Sequence, residues 1–369
     1  MPRKNARRNP ATSPRSILIV RLSAIGDIVL ASGVLPVLRR EFPGARIDWL
    51  VQSEYSDLLQ ATKDLDRILV WDRENWNALL KKGHLFGLAR KVTRHIRELR
   101  RTEYDLVLDL QGLWKSAIHA RACKAKQRIG LDAAEGSGIL LGRKTRSSPE
   151  GQRKALKYLR FARDMGFQAQ KAALGLGLAE IDHRTAHSLL QDAGVHGGYA
   201  VLCPFSTRPQ KQWPLENWAF LAEKIRSGLG LELVILGGAQ DALTASELVT
   251  ACPVPAVNLT GLASLRQSMA LIQGARLAVG VDTGLTHIGI MSSVPAVALF
   301  GSTRPYLETG RRDSAVLYED MGCSPCRRHP DCDGKHHCMR ALDPERVYRT
   351  AKRLLALPHL PVSSQAANE

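Results

Sequence analysis

Residues 279–303 read VGVDTGLTHIGIMSSVPAVALFGST. An apolar run ends at Asp282, the chain turns through Thr283 and Gly284, and a helical pattern carrying Thr286 and His287 leads to a second apolar run, AVALF, closed by GST. Short strands that are apolar on both faces, joined by a helix, mark parallel strands under helical cover. The same alternation runs upstream through YAVLCPF, a helix over residues 215–227, LELVILGG, a helix from Ala242, AVNLT and a helix from Leu265. These residues therefore form a doubly wound α/β domain.

The first half repeats the scheme. ILIVRLS gives a strand, Gly26 to Ile28 a turn into a helix ending near Arg40, then ARIDWLV, a helix near residues 54–61, RILVW, a long basic helix and the strand YDLVLDL close to Gly112. A polar, basic, glycine-containing stretch over 130–151 interrupts the rhythm, before a helix over about 152–165 and a loop and strand near 173–178. The chain thus divides into a basic arm (1–16), an N-terminal Rossmann-like domain (17–180), a C-terminal one (181–358) and a polar tail (359–369). The final helix, 344–357, is a candidate to pack back on the first domain. Two doubly wound sheets facing across a cleft place the chemistry between the domains, at the carboxyl ends of the strands.

The 369 residues carry a formal charge of +17, unevenly: residues 1–180 hold 34 Lys and Arg against 18 Asp and Glu, and residues 181–369 hold 18 against 17. Segregation of the excess in the first half points to an anionic partner there, whether nucleic acid, acidic lipid headgroup or phosphorylated sugar. No apolar run approaches the roughly 18 to 20 residues needed to span a bilayer, and no secretory leader follows the basic start, so a cytoplasmic protein is expected. The arm either solubilises the chain or touches an anionic surface.

Three strand-to-helix loops carry candidate binding groups. Asp282, Thr283 and Gly284 open a helix whose free N–H groups and dipole favour phosphate, with glycine allowing close approach of a ligand. PFSTRPQKQW supplies Ser206, Thr207 and Lys211, the lysine a point charge suited to a pyrophosphate leaving group, and GSTRP at 301–305 adds a third loop. In the first half, Asp27 follows a glycine at the mouth of the first strand, where it either caps the helix or projects into the cleft as a general base.

RLSAIGDIVLASGVLP, DLVLDLQGLWKSAIHA, PFSTRPQKQWPLENW and VDTGLTHIGIMSSVPAVALFGST together resemble glycosyltransferase family 9, the ADP-heptose:lipopolysaccharide heptosyltransferases, in order and spacing from about residue 17 to 355. The resemblance implies a GT-B fold, inverting transfer from ADP-L-glycero-β-D-manno-heptose, and no metal needed for catalysis. It implies Asp27 as catalytic base, and Lys211 with Ser206 and Thr207 as the pyrophosphate and heptose clamp. Asp282 would hold heptose hydroxyls, with Thr283, Gly284 and His287 around the phosphates. Adenine would lie near Leu262 to Leu265 and the Gly237-Gly238 turn, with Gln240 or Asp241 at the ribose. QGLWKSA resembles the type that adds the first heptose to Kdo2-lipid A, with Gln111, Lys115 and Ser116 near the acceptor. The basic run from Lys81 to Arg101 would then face Kdo carboxylates, lipid A phosphates or the anionic inner leaflet, making the enzyme a peripheral protein of the inner membrane's cytoplasmic face. A heptosylated Kdo2-lipid A acceptor and another ADP-sugar or acceptor are the alternatives.

Cys123, Cys203 and Cys252 are scattered and read as buried thiols, whereas Cys323, Cys326, Cys332 and Cys338 fall within sixteen residues. A reducing cytosol disfavours disulfides. C-x2-C followed by two gaps of five is consistent with a structural zinc held by four thiolates, and equally with free thiols. A similar loop occurs in part of the resembled family, more often in the second-transferase type. A nucleic-acid-binding protein is suggested only by the charge; it lacks interleaved aromatics, at 5% of the chain, and no nucleic-acid partner is expected. A nicotinamide dehydrogenase is disfavoured because no G-x-G-x-x-G follows the first strand and Asp48 lies inside the second.

Overall fold

The computed structural model describes residues 13–132, 136–141, 143–145, 154–168, 173–326 and 329–357. Most of the basic arm and all of the polar tail lie outside them. The first domain contains β1 (Ser16–Val20), α1 (Ile25–Ser32), α2 (Leu35–Glu41), β2 (Arg46–Gln52), a 3-10 segment (Ser53–Leu59), β3 (Arg67–Trp71), α3 (Arg73–Lys81), α4 (Leu85–Leu99), β4 (Glu103–Asp109), α5 (Trp114–Ala122), β5 (Lys124–Leu131), β6 (Arg143–Thr145) and α6 (Lys154–Asp164). Its six strands are parallel, in the order β3-β2-β1-β4-β5-β6. The central strand β1 is apolar from its second residue on because both faces are covered: Ile17 to Val20 are each fully buried.

The second domain contains α7 (Glu180–Asp192), β7 (Tyr199–Cys203), α8 (Leu215–Leu229), β8 (Glu232–Ile235), α9 (Ala242–Ala251), β9 (Val257–Asn258), α10 (Leu265–Gln273), β10 (Leu277–Val281), α11 (Gly284–Met291), β11 (Ala296–Phe300), β12 (Ser314–Tyr318), α12 (His337–Arg340) and α13 (Pro344–Leu355). These six strands are also parallel, ordered β12-β11-β10-β7-β8-β9. In each sheet the chain winds outward from a central strand and then returns to that strand's other side. The switch points fall between β1 and β4 and between β7 and β10, where crevices open beyond the strand ends.

Three features differ from expectation. Residues 173–178 form no strand; they cross between the domains, with Gly175 N–H donating to Ser32 Oγ at 3.1 Å and Leu174 N–H to the Met291 carbonyl at 3.0 Å. The strands β5, β6 and β12 were not anticipated. Finally, α13 does not pack back on the first domain: Val347, Ala351 and Leu354 lie in the second domain's core, against α8 and β11. An amphipathic helix with its apolar stripe on an adjacent sheet of its own domain has no apolar face left for the other.

Asp48 is fully buried within β2 and accepts a hydrogen bond from Tyr104 Oη at 2.7 Å, which removes it as a ribose ligand. Among the described residues no helix is long and apolar enough to cross a membrane.

Candidate active site

Both switch-point loops of the second sheet meet at one ion pair. Lys211, in the loop after β7, donates to Asp282, at the end of β10, through Nζ to Oδ2 at 2.6 Å and to the Asp282 carbonyl at 3.2 Å. Thr303 Oγ1, from the loop after β11, donates to the same Oδ2 at 2.6 Å, and His287 Nε2 lies 3.2 Å from Oδ1. The Asp282 side chain is only 12% exposed. Burial alone would raise its carboxyl, but the hydrogen bond and charge of His287, followed by Lys211, hold it well below the ordinary carboxylate range. His287 Nδ1 bonds the buried Tyr306 hydroxyl, whose own ionisation is pushed well above normal by burial and by Asp282.

The first domain is pressed onto this cluster through two glycines. A Cβ on Gly26 would stand 2.4 Å from His287 Cδ2, and one on Gly284 would stand 2.4 Å from Ile25 Cγ2. The N-termini of α1 and α11 therefore abut, one from each domain. Asp27 lies in the first turn of α1, one residue on from Gly26; its carboxylate pairs with the buried Arg21 guanidinium at 2.5 Å, and Arg21 is in turn anchored to the Leu110 carbonyl at 3.0 Å. Two helix N-termini facing one seam concentrate positive dipole ends where an anion is to be held.

Gly284 thus admits the close approach of the other domain's helix, a use of this glycine that the sequence did not show. His287 is buried and both its ring nitrogens are engaged, Nε2 by Asp282 and Nδ1 by Tyr306. Thr283, partly buried, stands at the N-cap position of α11. Ser206 is half-buried, its Oγ accepting the Arg208 N–H at 3.4 Å, and Thr207 is exposed beside it.

At the far end of the second sheet, Asp241 accepts from Gly238 N–H at 2.9 Å and from Gln240 Nε2 at 3.1 Å, closing the glycine turn after β8. Gln240 is exposed, and Leu262, 63% exposed, projects from the neighbouring loop, which packs on that turn through Gly261 and Ala239.

The loop after β4 carries the other first-domain candidates. Gln111 Oε1 accepts the Leu22 N–H at 2.9 Å, tying the β4 and β1 loops together. Lys115 Nζ reaches Ser23 Oγ at 3.0 Å, on the loop leading to Asp27. Ser116 is fully buried and donates to Asp109 Oδ2 at 3.0 Å, so it shapes the loop from beneath instead of meeting an acceptor. Asp109, raised by burial against the pull of these hydrogen bonds, also accepts the Gln111 and Gly112 N–H groups. Arg21, Thr303, Tyr306 and Asp109 were not singled out from the sequence. Arg21 lies in the quoted RLSAIGD motif and Thr303 in GSTRP, so position was visible, whereas partner was not.

The cysteine loop corrects the zinc expectation. Cys338 is buried in the second domain's core with its sulfur against Gly301, while Cys323, Cys326 and Cys332 are half-buried on the preceding segment. All seven cysteines are free, and among the described residues no group of three or more His, Cys, Asp or Glu side chains is placed to hold a metal. Burial, with the neighbouring sulfurs adding to it, raises the Cys326 and Cys338 thiols and favours their protonated form.

The family model for glycosyltransferase family 9 (heptosyltransferase) matches residues 92–337, which includes the loops of Gln111, Lys211 and Asp282. The chain belongs to glycosyltransferase family 9. It is accordingly a glycosyltransferase. Among curated members, lipopolysaccharide heptosyltransferase 1 of Pseudomonas aeruginosa is 28% identical over 318 residues, covering 84% of this chain and 85% of that protein. The crystal structure of a family 9 glycosyl transferase from Veillonella parvula superposes with a TM-score of 0.74 at 21% identity, covering 92% of this chain and 97% of that one. The E. coli heptosyltransferase WaaC with ADP-2-deoxy-2-fluoro heptose gives 0.67 at 21% identity, covering 92% and 99%. The two parallel sheets are those of the GT-B fold of family 9.

Proposed function

We propose that this family 9 enzyme transfers L-glycero-D-manno-heptose from ADP-heptose to the lipopolysaccharide inner core, with inversion, as the first heptose on Kdo2-lipid A. The observation that supports the reading is the seam at Gly26 and Gly284, where the start of α1, which carries Asp27 in its first turn, meets the start of α11, whose His287 bonds the Asp282 paired with Lys211. Asp27 accepts the proton of the acceptor hydroxyl as that oxygen attacks the anomeric carbon; the bond from that carbon to the β-phosphate oxygen breaks and ADP departs. Lys211, with the Ser206 and Thr207 hydroxyls, supplies charge and hydrogen bonds to the pyrophosphate as it leaves, so the residues present account for the step without a metal. Arg21 holds Asp27 in place, and Asp282, oriented by His287 and Thr303, presents its carboxylate edge to the sugar hydroxyls.

Gln240, Asp241 and Leu262 border the adenosine end, the fixed carboxylate of Asp241 lying nearest the turn. On the acceptor side Lys115 meets Kdo carboxylates, its loop set by Gln111 and Asp109. The charge excess of the first half, the absence of a membrane-crossing helix among the described residues and a lipid-borne acceptor together support a cytoplasmic protein acting peripherally on the inner membrane. Incubating the purified protein with ADP-heptose and either Kdo2-lipid A or its heptosylated form, followed by mass spectrometry, tests donor and step together. One heptose added to Kdo2-lipid A alone is expected; addition only to the heptosylated acceptor moves the enzyme to the next step, and addition to neither removes the reading.

A further inference from the structure

The helices α3 and α4 form a hairpin whose turn is the most exposed apolar point of the described chain. Residues 80–86, LKKGHLF, are all exposed; Phe86 is 95% exposed, Leu85 62% and Leu80 58%. Nothing in α3 is buried, and in α4 only Leu99, at the far end, is. The hairpin is fastened at its base, where Trp71, Trp76, His95 and His119 pack with ring centroids 4.6 to 5.9 Å apart, three of the four pairs edge to face and Trp71–His119 tilted. Burial pushes His95 down to about 4, so this base packs as neutral rings at physiological pH. Three times over, a large apolar side chain is left in water at the tip of an element that the fold holds firmly at its other end. Exposed apolar residues clustered in this way mark a surface built for a partner.

The charge around the tip says which partner. Lys81 and Lys82 sit in the turn itself, and Arg90, Arg94 and Arg97 follow Phe86 at spacings of four, eight and eleven residues, which places all four on one face of α4. All three arginines are exposed, and among the described residues none has a carboxylate within ion-pair distance. The two carboxylates nearest these arginines are already paired: Glu98 bridges Arg67 and Arg101, and Asp72 lies 3.8 Å from Lys91. Beside these arginines runs an open groove of about 1080 Å³ in which Lys91 and Arg101 add to the positive charge, against the two paired carboxylates of Asp72 and Glu98. An apolar tip with a basic collar and a basic helix face matches the boundary of an anionic bilayer, where rings and aliphatic chains enter below the headgroups and guanidinium groups meet phosphates. A protein partner would be met by an apolar patch with a mixed rim, not by a graded sequence from Phe86 to Arg97.

The topology aims the hairpin correctly. The chain enters α3 from the carboxyl end of β3, the same sheet edge that bears the loops of Asp27 and Lys115, and α4 returns it to the amino end of β4. Over its 15 residues α4 spans roughly 21 Å, so its N-terminal tip lies on the cleft side of the domain. Trp114 (41% exposed) starts α5 at the same edge.

We propose that the α3–α4 hairpin docks the enzyme on an anionic lipid surface, Leu80, Leu85 and Phe86 entering the interface while Arg90, Arg94 and Arg97 bind headgroup phosphates. The proposal rests on the reading of a lipid-borne acceptor only for its purpose; its test does not need turnover. The full chain is sedimented with phosphatidylcholine vesicles with and without phosphatidylglycerol. The parent protein should pellet with the anionic vesicles alone, and the double substitution Leu85→Ser/Phe86→Ser should lower partitioning by at least about tenfold. Arg90→Glu/Arg94→Glu should lower it by roughly 25-fold or more and flatten its salt dependence. Because the serine pair replaces residues that touch water already, its melting temperature and its rate on a water-soluble acceptor fragment should equal those of the parent. A parent that ignores anionic vesicles, or a serine variant that pellets as the parent does, overturns the proposal. Vesicle binding by a protein that transfers no heptose would instead sink the acceptor reading and leave the docking intact.

Discussion

Replacing Asp282 by asparagine isolates the charge at the donor centre while keeping its shape. The carboxylate accepts from Lys211 and Thr303 at 2.6 Å each and faces His287 Nε2 at 3.2 Å. An amide offers one acceptor where two were used and turns its NH2 toward a donor. Breaking one side of a largely buried pair costs about 3–5 kcal/mol. Lys211 keeps 15% of its side chain exposed and can regain some hydration, which sets the expectation at the lower end, about 3 kcal/mol. For a unit of this size each kcal/mol lowers Tm by roughly 2–4 °C, so the variant should melt roughly 6–12 °C below the parent at pH 7.

The pH dependence supplies a second, independent reading. Because the folded carboxyl lies below its ordinary value, its stabilisation is fully present above the unfolded aspartate pKa of about 3.9 and is lost as pH falls from there toward the folded value. The gap between parent and variant, followed by circular dichroism, should therefore stay constant from about pH 7 to about pH 5 and narrow only below about pH 4. A gap under about 2 °C at neutral pH, or one that closes between pH 7 and 5, would refute the account of Asp282 as an ionised anchor.

Asp27→Ala should reduce transfer by about 10²–10⁴-fold while calorimetry finds ADP-heptose binding within about twofold of the parent; retained turnover removes the base assignment. Lys211→Ala should weaken donor binding about tenfold and lower kcat roughly a hundredfold, because its charge meets the ground state and the leaving group alike, and normal kinetics would take Lys211 out of the site. Gly284→Val forces a branched side chain into the space filled by Ile25, so kcat should fall by about tenfold or more with donor affinity kept; an unchanged kcat would mean that the seam between α1 and α11 does not position the reaction.

The sequence displays the sheets where burial is symmetrical and hides them where it is not. The strands β7, β10 and β11 are unbroken apolar runs, and β1 and β4 hold apolar cores, because helices cover both faces, and each was readable with its following turn. The lysine-rich start of β5 is largely exposed and β12 is half-exposed, so neither has the apolar run that marks a central strand. At the site, the residues at strand ends were legible because a parallel sheet sends its loops to one edge. Their partners were not. Ser116 looked like an acceptor contact and proves to be a buried donor to Asp109; for His287 the sequence did not show the bonds to Asp282 and Tyr306. Cys338 looked like one of four equivalent thiolates and is packing beneath Gly301. In each case the deciding neighbour lies in another element, which local spacing does not encode.

The two glycines at the seam also bear on how such an enzyme changes over time. Each domain reads the other at a point where a single methyl group would collide, so neither helix start can take on a side chain unless the opposite one retreats. On the proposed reading, variation in the sugar or the acceptor is left to the loops at the rim, around Gln240, Leu262 and Lys115, while the hub between them stays fixed. The catalytic distance is kept by what is missing from the chain, and the specificity by what is added around it.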